Sequence, residues 1–259
     1  MEFRPCIDIH NGKVKQIVGG SLRDAQEEAK ENFVSSREAS FYAEFYKKYG
    51  IRGGHVIMLN APDSKFYEET RQQALSCLRA YPGGLQIGGG IHADNAADYL
   101  RAGASHVIVT SYVFKDGCIH YENLDKLLQA VGREHIVLDL SCRKKEDGYY
   151  IVTDRWQKFT DVRLEEETME RLASCCDEFL VHAVDVEGKS SGIEEEVVAL
   201  LGNWGKAGIT YAGGVHCYED LQKIRQAGRD KVNVTIGSAL DLFGGNMKWE
   251  EVLEFFGIS

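Results

Sequence analysis

The sequence predicts an α/β protein, a (β/α)8 or TIM barrel built from two similar halves. Three observations predict it. Eight short apolar runs recur along 259 residues. A segment of helical periodicity can be placed after each run. A glycine motif also occurs twice, as QIGGGIH (86–92) and YAGGVHC (211–217), with Gly89 and Gly213 lying 124 positions apart. Eight β-α units in about 250 residues is the arithmetic of such a barrel. The repeated motif suggests an internal half-barrel duplication.

The predicted strands, in order, are FRPCIDI (3–9), HVIML (55–59), GLQIG (84–88), HVIVT (106–110), HIVLDL (135–140), EFLVHAV (178–184), GITYAG (208–213) and VNVTI (232–236). They are rich in Val and Ile and do not alternate apolar with polar, as expected of strands buried on both faces. Helical spacing is plain in YENLDKLLQAV, through Leu124, Leu127, Leu128 and Val131, and in KWEEVLEFF, through Trp249, Val252, Leu253 and Phe256. ETMERLASCC repeats it with Met169, Leu172, Ala173 and Cys176. The acidic triplets at 165–167 and 194–196 fall in first turns, where they complement the helix dipole. Two connections are long. Residues 18–37 are polar and open on glycine, and are expected to be partly disordered or to form a lid. Residues 141–164 contain RKKEDGYYIVTDRW, a hairpin with its turn at Asp147-Gly148. Both follow strands on the side where barrel active sites lie. No linker or low-complexity stretch divides the chain, so residues 1–259 are expected to form a single domain.

Composition narrows the function. A net charge of −10 and no basic run argue against a nucleic-acid partner. The seven cysteines form no Cys-x-x-Cys pair, and the odd count fits reduced thiols better than a disulfide scaffold. MEFRPCIDIH lacks the apolar core of a signal peptide. No apolar stretch approaches the ~20 residues that span a bilayer. The expectation is a cytoplasmic monomer with no membrane partner.

The repeat extends beyond one motif. Behind Gly89-Gly90-Ile91-His92 come a helix ending near Ala102-Gly103 and then HVIVTS with Ser111. Behind Gly213-Gly214-Val215-His216 come a helix ending near Ala227-Gly228 and then NVTIGS with Ser238. CIDI carries Asp8 and VLDL carries Asp139, 131 positions on. Strands 1, 3 and 4 therefore correspond to strands 5, 7 and 8. A Gly-Gly pair after a strand can serve only as a tight turn with positive φ. It can also let a phosphate approach backbone N–H groups at a helix N-terminus. Finding both copies favours the second reading. One phosphate site would comprise Gly213, Gly214, Gly237 and Ser238; the other would comprise Gly89, Gly90, Thr110 and Ser111. Two such sites imply a small-molecule ligand with a phosphate at each end. Asp8 and Asp139, facing each other between them, suit a general acid and a general base, in either order. His10, His92, His182 and His216 fall near the same mouth without the His-x-His or His-Glu-x-x-His spacing of a metal site, so no metal is expected. Cys6 should share the Asp8 side of its strand as a buried neutral thiol.

Taken together, PCIDIHNGKVKQIVGG, QIGGGIH, VLDLS, VHAVDVEGKSSG, YAGGV and TIGSALDLFGG resemble the ProFAR isomerase family of histidine biosynthesis across essentially the whole chain, most closely its fungal and plant forms. The resemblance implies a bisphosphorylated substrate and an Amadori rearrangement of an aminoaldose to an aminoketose, with no metal or organic cofactor. It implies that Asp8 removes the C2′ proton and that Asp139 protonates the ribose ring oxygen. It also places Gly19, Gly20 and Trp156 beside the substrate, and one supporting acid after strand 6, either Asp185 or Glu187. The chain departs from the common bacterial pattern at His92, at MLNAPD after strand 2, at Thr110-Ser111 and in the strand-6 motif. The rival readings are the cyclase subunit of imidazole glycerol phosphate synthase, phosphoribosylanthranilate isomerase, and a non-catalytic barrel that binds phosphorylated ligands.

Overall fold

The computed structural model describes residues 1–17, 31–154, 156–187, 189 and 192–259. Eight parallel strands line up as expected: β1 (Cys6–His10), β2 (Gly54–Met58), β3 (Leu85–Gly88), β4 (Val107–Val109), β5 (Ile136–Asp139), β6 (Glu178–His182), β7 (Gly208–Ala212) and β8 (Asn233–Val234). Each pairs with the next in chain order. The ring closes just before β1. Phe3 bridges Val234 in parallel, the Arg4 N–H donates to the Val234 carbonyl at 2.9 Å, and the Val234 N–H donates to the Glu2 carbonyl at 2.9 Å. Closure satisfies the edge groups that an open sheet would leave unpaired.

Among the described residues, eight α-helices cover the outside: α1 (Ala39–Lys48), α2 (Tyr67–Ala80), α3 (Ala93–Arg101), α4 (Tyr121–Val131), α5 (Glu166–Leu172), α6 (Glu195–Trp204), α7 (Tyr218–Ala227) and α8 (Trp249–Phe256). Their apolar positions face the sheet, as Leu124, Leu127 and Val131 do in α4. The last helix locks onto the first unit. The Trp249 ring of α8 lies 4.9 Å from Phe45 and 5.7 Å from Tyr46 of α1, and 5.6 Å from Phe3. Burying each such ring is worth about 1.5–3 kcal/mol. The helix expected through Cys176 stops earlier: α5 ends at Leu172, and Cys176 is buried beyond it.

Inside the ring, the N-terminal end is sealed by polar groups. Glu178 is buried, pairs with Arg4, and accepts hydrogen bonds from Gln86 Nε2 at 2.9 Å and from the Thr210 hydroxyl. Ile57, Ile108, Val137 and Leu180 form an inner apolar cluster separate from the sheet-helix core. The C-terminal end is left open, and the long connections gather there.

The first of these folds back on β1. Strand Lys13–Ile17 pairs antiparallel with β1, and Glu31–Val34 pairs with Lys13–Ile17. Residues 18–30 of the suggested lid, with Gly19 and Gly20, lie outside the described residues. After β5, the predicted hairpin is the first part of a three-stranded sheet: Cys142–Lys145, Gly148–Thr153 and Lys158–Arg163. Lys145 pairs with Gly148, so the turn is Glu146-Asp147, one residue earlier than expected. All seven cysteines are free thiols. Among the described residues, no helix is long and apolar enough to cross a membrane.

Candidate active site

A cavity of about 770 Å³ opens at the C-terminal mouth of the barrel. Asp8, Asp139, Trp156, His182 and Glu187 line it, together with both glycine pairs, Thr110, Ser111, Gly237 and Ser238. The strand periodicity that aims Cys6 and Asp8 inward, two residues apart on β1, explains why both reach it. Among the described residues, no lysine or arginine lines the cavity.

Asp139, the last residue of β5, is surrounded by donors. Its Oδ1 accepts from the Ser141 N–H at 2.8 Å and the Ser141 hydroxyl at 2.7 Å, and its Oδ2 accepts from the Thr110 hydroxyl at 2.9 Å. His182 Nδ1 stands 3.6 Å from Oδ1. Burial pushes the Asp139 carboxyl up, but His182, Ser141 and Thr110 outweigh it and hold it below the ordinary carboxylate value. Ser141 also accepts the Trp156 indole N–H at 3.0 Å, which ties the strand-5 sheet to the carboxylate. The Trp156 and His182 rings lie 5.7 Å apart.

Asp8 has the opposite setting. Burial and the negative field of Glu187 raise its carboxyl to about 7, against the smaller lowering effects of His182 and the Cys6 thiol. Burial also raises Glu187, and Cys6 stays a thiol because burial and Asp8 raise it. Donor atoms of Cys6, Asp8 and His55 converge within 4.8 Å of one another. The thiol keeps its proton there and accepts from Gln16 Nε2 at 3.6 Å, so we assign no ion to the trio.

The two glycine loops are alike in backbone and different in surroundings. Gly89 and Gly90 have φ of +97° and +70°, and Gly213 and Gly214 have φ of +127° and +75°. A Cβ on Gly89 would meet the Met58 carbonyl oxygen at 2.0 Å, and one on Gly214 would meet that of Gly192 at 2.0 Å. At both loops the third residue of the following helix accepts the histidine N–H: Asn95 takes that of His92 at 2.9 Å, and Asp220 takes that of His216 at 3.0 Å. Neither of these histidines lines the cavity, whereas His10 and His182 do. Thr110 commits its hydroxyl proton to Asp139. Ser111 accepts from the Asp154 N–H at 3.5 Å.

The two acids after β6 are placed differently. Glu187 lines the cavity. Asp185 turns away and receives Arg143 Nε at 2.9 Å and the Lys144 N–H at 3.0 Å, fastening the strand-5 sheet to the β6 loop. The first turn of α6 adds to this anchor. Glu196 pairs with Lys144 at 2.8 Å, and Glu194 accepts the Tyr149 hydroxyl at 2.8 Å, so these acids do more than complement a dipole. Sequence reasoning missed Ser141 and gave His182 no role. The signal was there: each sits at or just past the end of a strand whose mouth it faces.

A family model described as histidine biosynthesis protein matches residues 2–247. The chain belongs to that family. A relative from Medicago truncatula is 57% identical over 258 residues, covering 98% of this chain and 81% of its own. It is named a chloroplastic 1-(5-phosphoribosyl)-5-((5-phosphoribosylamino)methylideneamino)imidazole-4-carboxamide isomerase. Relatives from Yarrowia lipolytica and Saccharomyces cerevisiae bear the same isomerase name. They are 44% and 43% identical, covering 98% and 96% of this chain and 97% and 96% of their own.

Proposed function

We propose that this chain catalyses the isomerisation for which its relatives are named, as an Amadori rearrangement of the phosphoribosylamino group by carboxylate acid-base catalysis. The observation that carries the reading is a pair of carboxylates at equivalent positions of the two half-barrels, facing one cavity between the two glycine loops. The relatives' name describes a substrate with two 5-phosphoribosyl groups. The two glycine loops accept one phosphate each through backbone N–H groups. That suits a cavity where, among the described residues, no lysine or arginine competes for the anions. Anchored at both ends, the reacting ribose is held between Asp8 and Asp139.

Asp139 gives a proton to the ring oxygen, the C1′–O bond breaks, and a Schiff base forms. Asp8 takes the C2′ proton to give an enolamine. Returning a proton to C1′ and releasing that of the C2′ hydroxyl yields the ketose. A carboxyl raised to about 7 suits a group that must accept a proton from carbon and hand one back at neutral pH. Trp156, fixed through Ser141, covers the reacting sugar.

The test is turnover of the purified ribosylamine by the purified protein, without added metal and without ammonia, with the product followed by chromatography. Conversion to the ketose isomer is expected. Tight binding with no conversion would overturn the reading in favour of a non-catalytic barrel. Consumption of the ketose only when ammonia is added would overturn it in favour of a cyclase.

A further inference from the structure

Asp139 accepts hydrogen bonds from the Ser141 amide, the Ser141 hydroxyl and the Thr110 hydroxyl. The direction of the Ser141 bond is fixed. Its oxygen already accepts the Trp156 indole N–H, so its own proton points at Asp139. A carboxylate held by three donors favours the ionised form. The isomerase reading nevertheless asks Asp139 to supply a proton. The group placed to hold that proton is His182, the last residue of β6. It lines the cavity, and its Nδ1 is 3.6 Å from Asp139 Oδ1, too far for a settled hydrogen bond and close enough to become one with a small rotation. No hydrogen-bond partner fills Nδ1 otherwise. The Trp156 ring packs on one side of the imidazole at 5.7 Å and the His55 ring meets it at 5.9 Å, which limits the motion open to it.

We propose that His182 is the positioning residue that stores the proton Asp139 delivers to the sugar ring oxygen. The inference rests on the isomerase reading. The balance closes. The His182 imidazolium passes its proton to the Asp139 carboxylate. Asp139 passes it to the ring oxygen, which takes the electron pair of the breaking C1′–O bond. The proton later released by the C2′ hydroxyl, as the ketone forms, restores the imidazolium. Asp8 completes its own cycle between C2′ and C1′.

The charged and titratable groups facing His182 come from four elements: Asp8 on β1, His55 on β2, Asp139 on β5 and Glu187 beyond β6. Burial alone would lower His182; Asp139 first, then Glu187 and Asp8, raise it above its ordinary value. Burial drives His55 down to about 3, so it stays neutral and does not compete for the proton.

Two measurements test this. The first is kcat and KM against pH for the wild type and His182→Asn. With the store removed, kcat should fall by about 10-fold or more at pH 8 and its alkaline limb should move to lower pH, with KM within about threefold. The same fractional loss at every pH, a change confined to KM, or an unchanged profile would overturn the proposal. The second needs no His182 variant, and so survives a failure of that variant to fold. The ring 15N shifts of His182 are followed in the intact protein and in Asp139→Asn. The wild-type ring should titrate above the ordinary value of about 6.5, and the variant ring below the wild type. A His182 that is neutral through the neutral range, or indifferent to Asp139, would overturn it. Failure of the wild type to isomerise the substrate would instead sink the isomerase reading, whatever the His182 titration shows.

Discussion

Asp8 and Asp139 occupy the same place in the two halves of the barrel, and their surroundings treat them in opposite ways. On β1 the neighbours are a buried thiol and the Glu187 carboxyl, and the proton is held up to about 7. On β5 the neighbours are two hydroxyls, an amide and an imidazole, and the carboxyl is held low. Duplication can account for the positions. The electrostatics come from residues outside the repeated pattern: Cys6 and Glu187 on one side, Ser141 and His182 on the other. Two carboxylates whose environments push their proton affinities apart can divide acid and base roles between them.

The comparison can be broken first at the carboxylates. Asp8→Asn and Asp139→Asn should each lower kcat by at least ~10² with the fold intact by circular dichroism. Near wild-type turnover in either variant would remove that half from the chemistry. The glycine loops come next. Gly214→Ala puts a Cβ against the Gly192 carbonyl, while Gly90→Ala meets nothing nearer than Pro62 at 3.9 Å. Urea denaturation should show a loss of about 3 kcal/mol or more for Gly214→Ala, and only the roughly 1 kcal/mol of a positive φ for Gly90→Ala. Equal losses would mean that the two loops are packed alike.

The smallest effect sharpens the electrostatic contrast. The folded carboxyl of Asp8 is raised above its unfolded value, so the native state holds that proton more tightly and stability falls as pH climbs from about 4 towards 7. Asp8→Asn removes this penalty. It should stabilise the protein by about 1–3 kcal/mol at pH 8 and by little at pH 4. Asp139→Asn should do the reverse, losing stability relative to wild type at pH 8 and not at low pH, because a lowered carboxyl contributes stability above its unfolded pKa. A urea series at the two pH values measures both.

The barrel itself was legible because each strand is a continuous apolar run and the second half checks the first. Both carboxylates and both glycine pairs were legible for the same reason. What was hidden depends on contacts between distant segments. Asp185 and Glu187 are two residues apart, and only the position of Arg143 separates them, one as an anchor and the other as a wall of the cavity. Thr110 read as a phosphate ligand because it occupies the place of Gly237 in the repeat, yet its hydroxyl faces Asp139. The third strand of the strand-5 sheet, Lys158–Arg163, carries no turn signal of its own; its pairing with Gly148–Thr153 passes through a register shift.

The floor of the barrel has a consequence for how the chain is made. Arg4, which neutralises Glu178, is synthesised 174 residues ahead of it. At ribosomal rates of roughly 5–20 residues per second, the guanidinium waits on the order of ten seconds or more for its partner. Until the sixth strand emerges, the guanidinium has only the exposed Glu2 to pair with, and the first half-barrel lacks the buried acid that completes its floor.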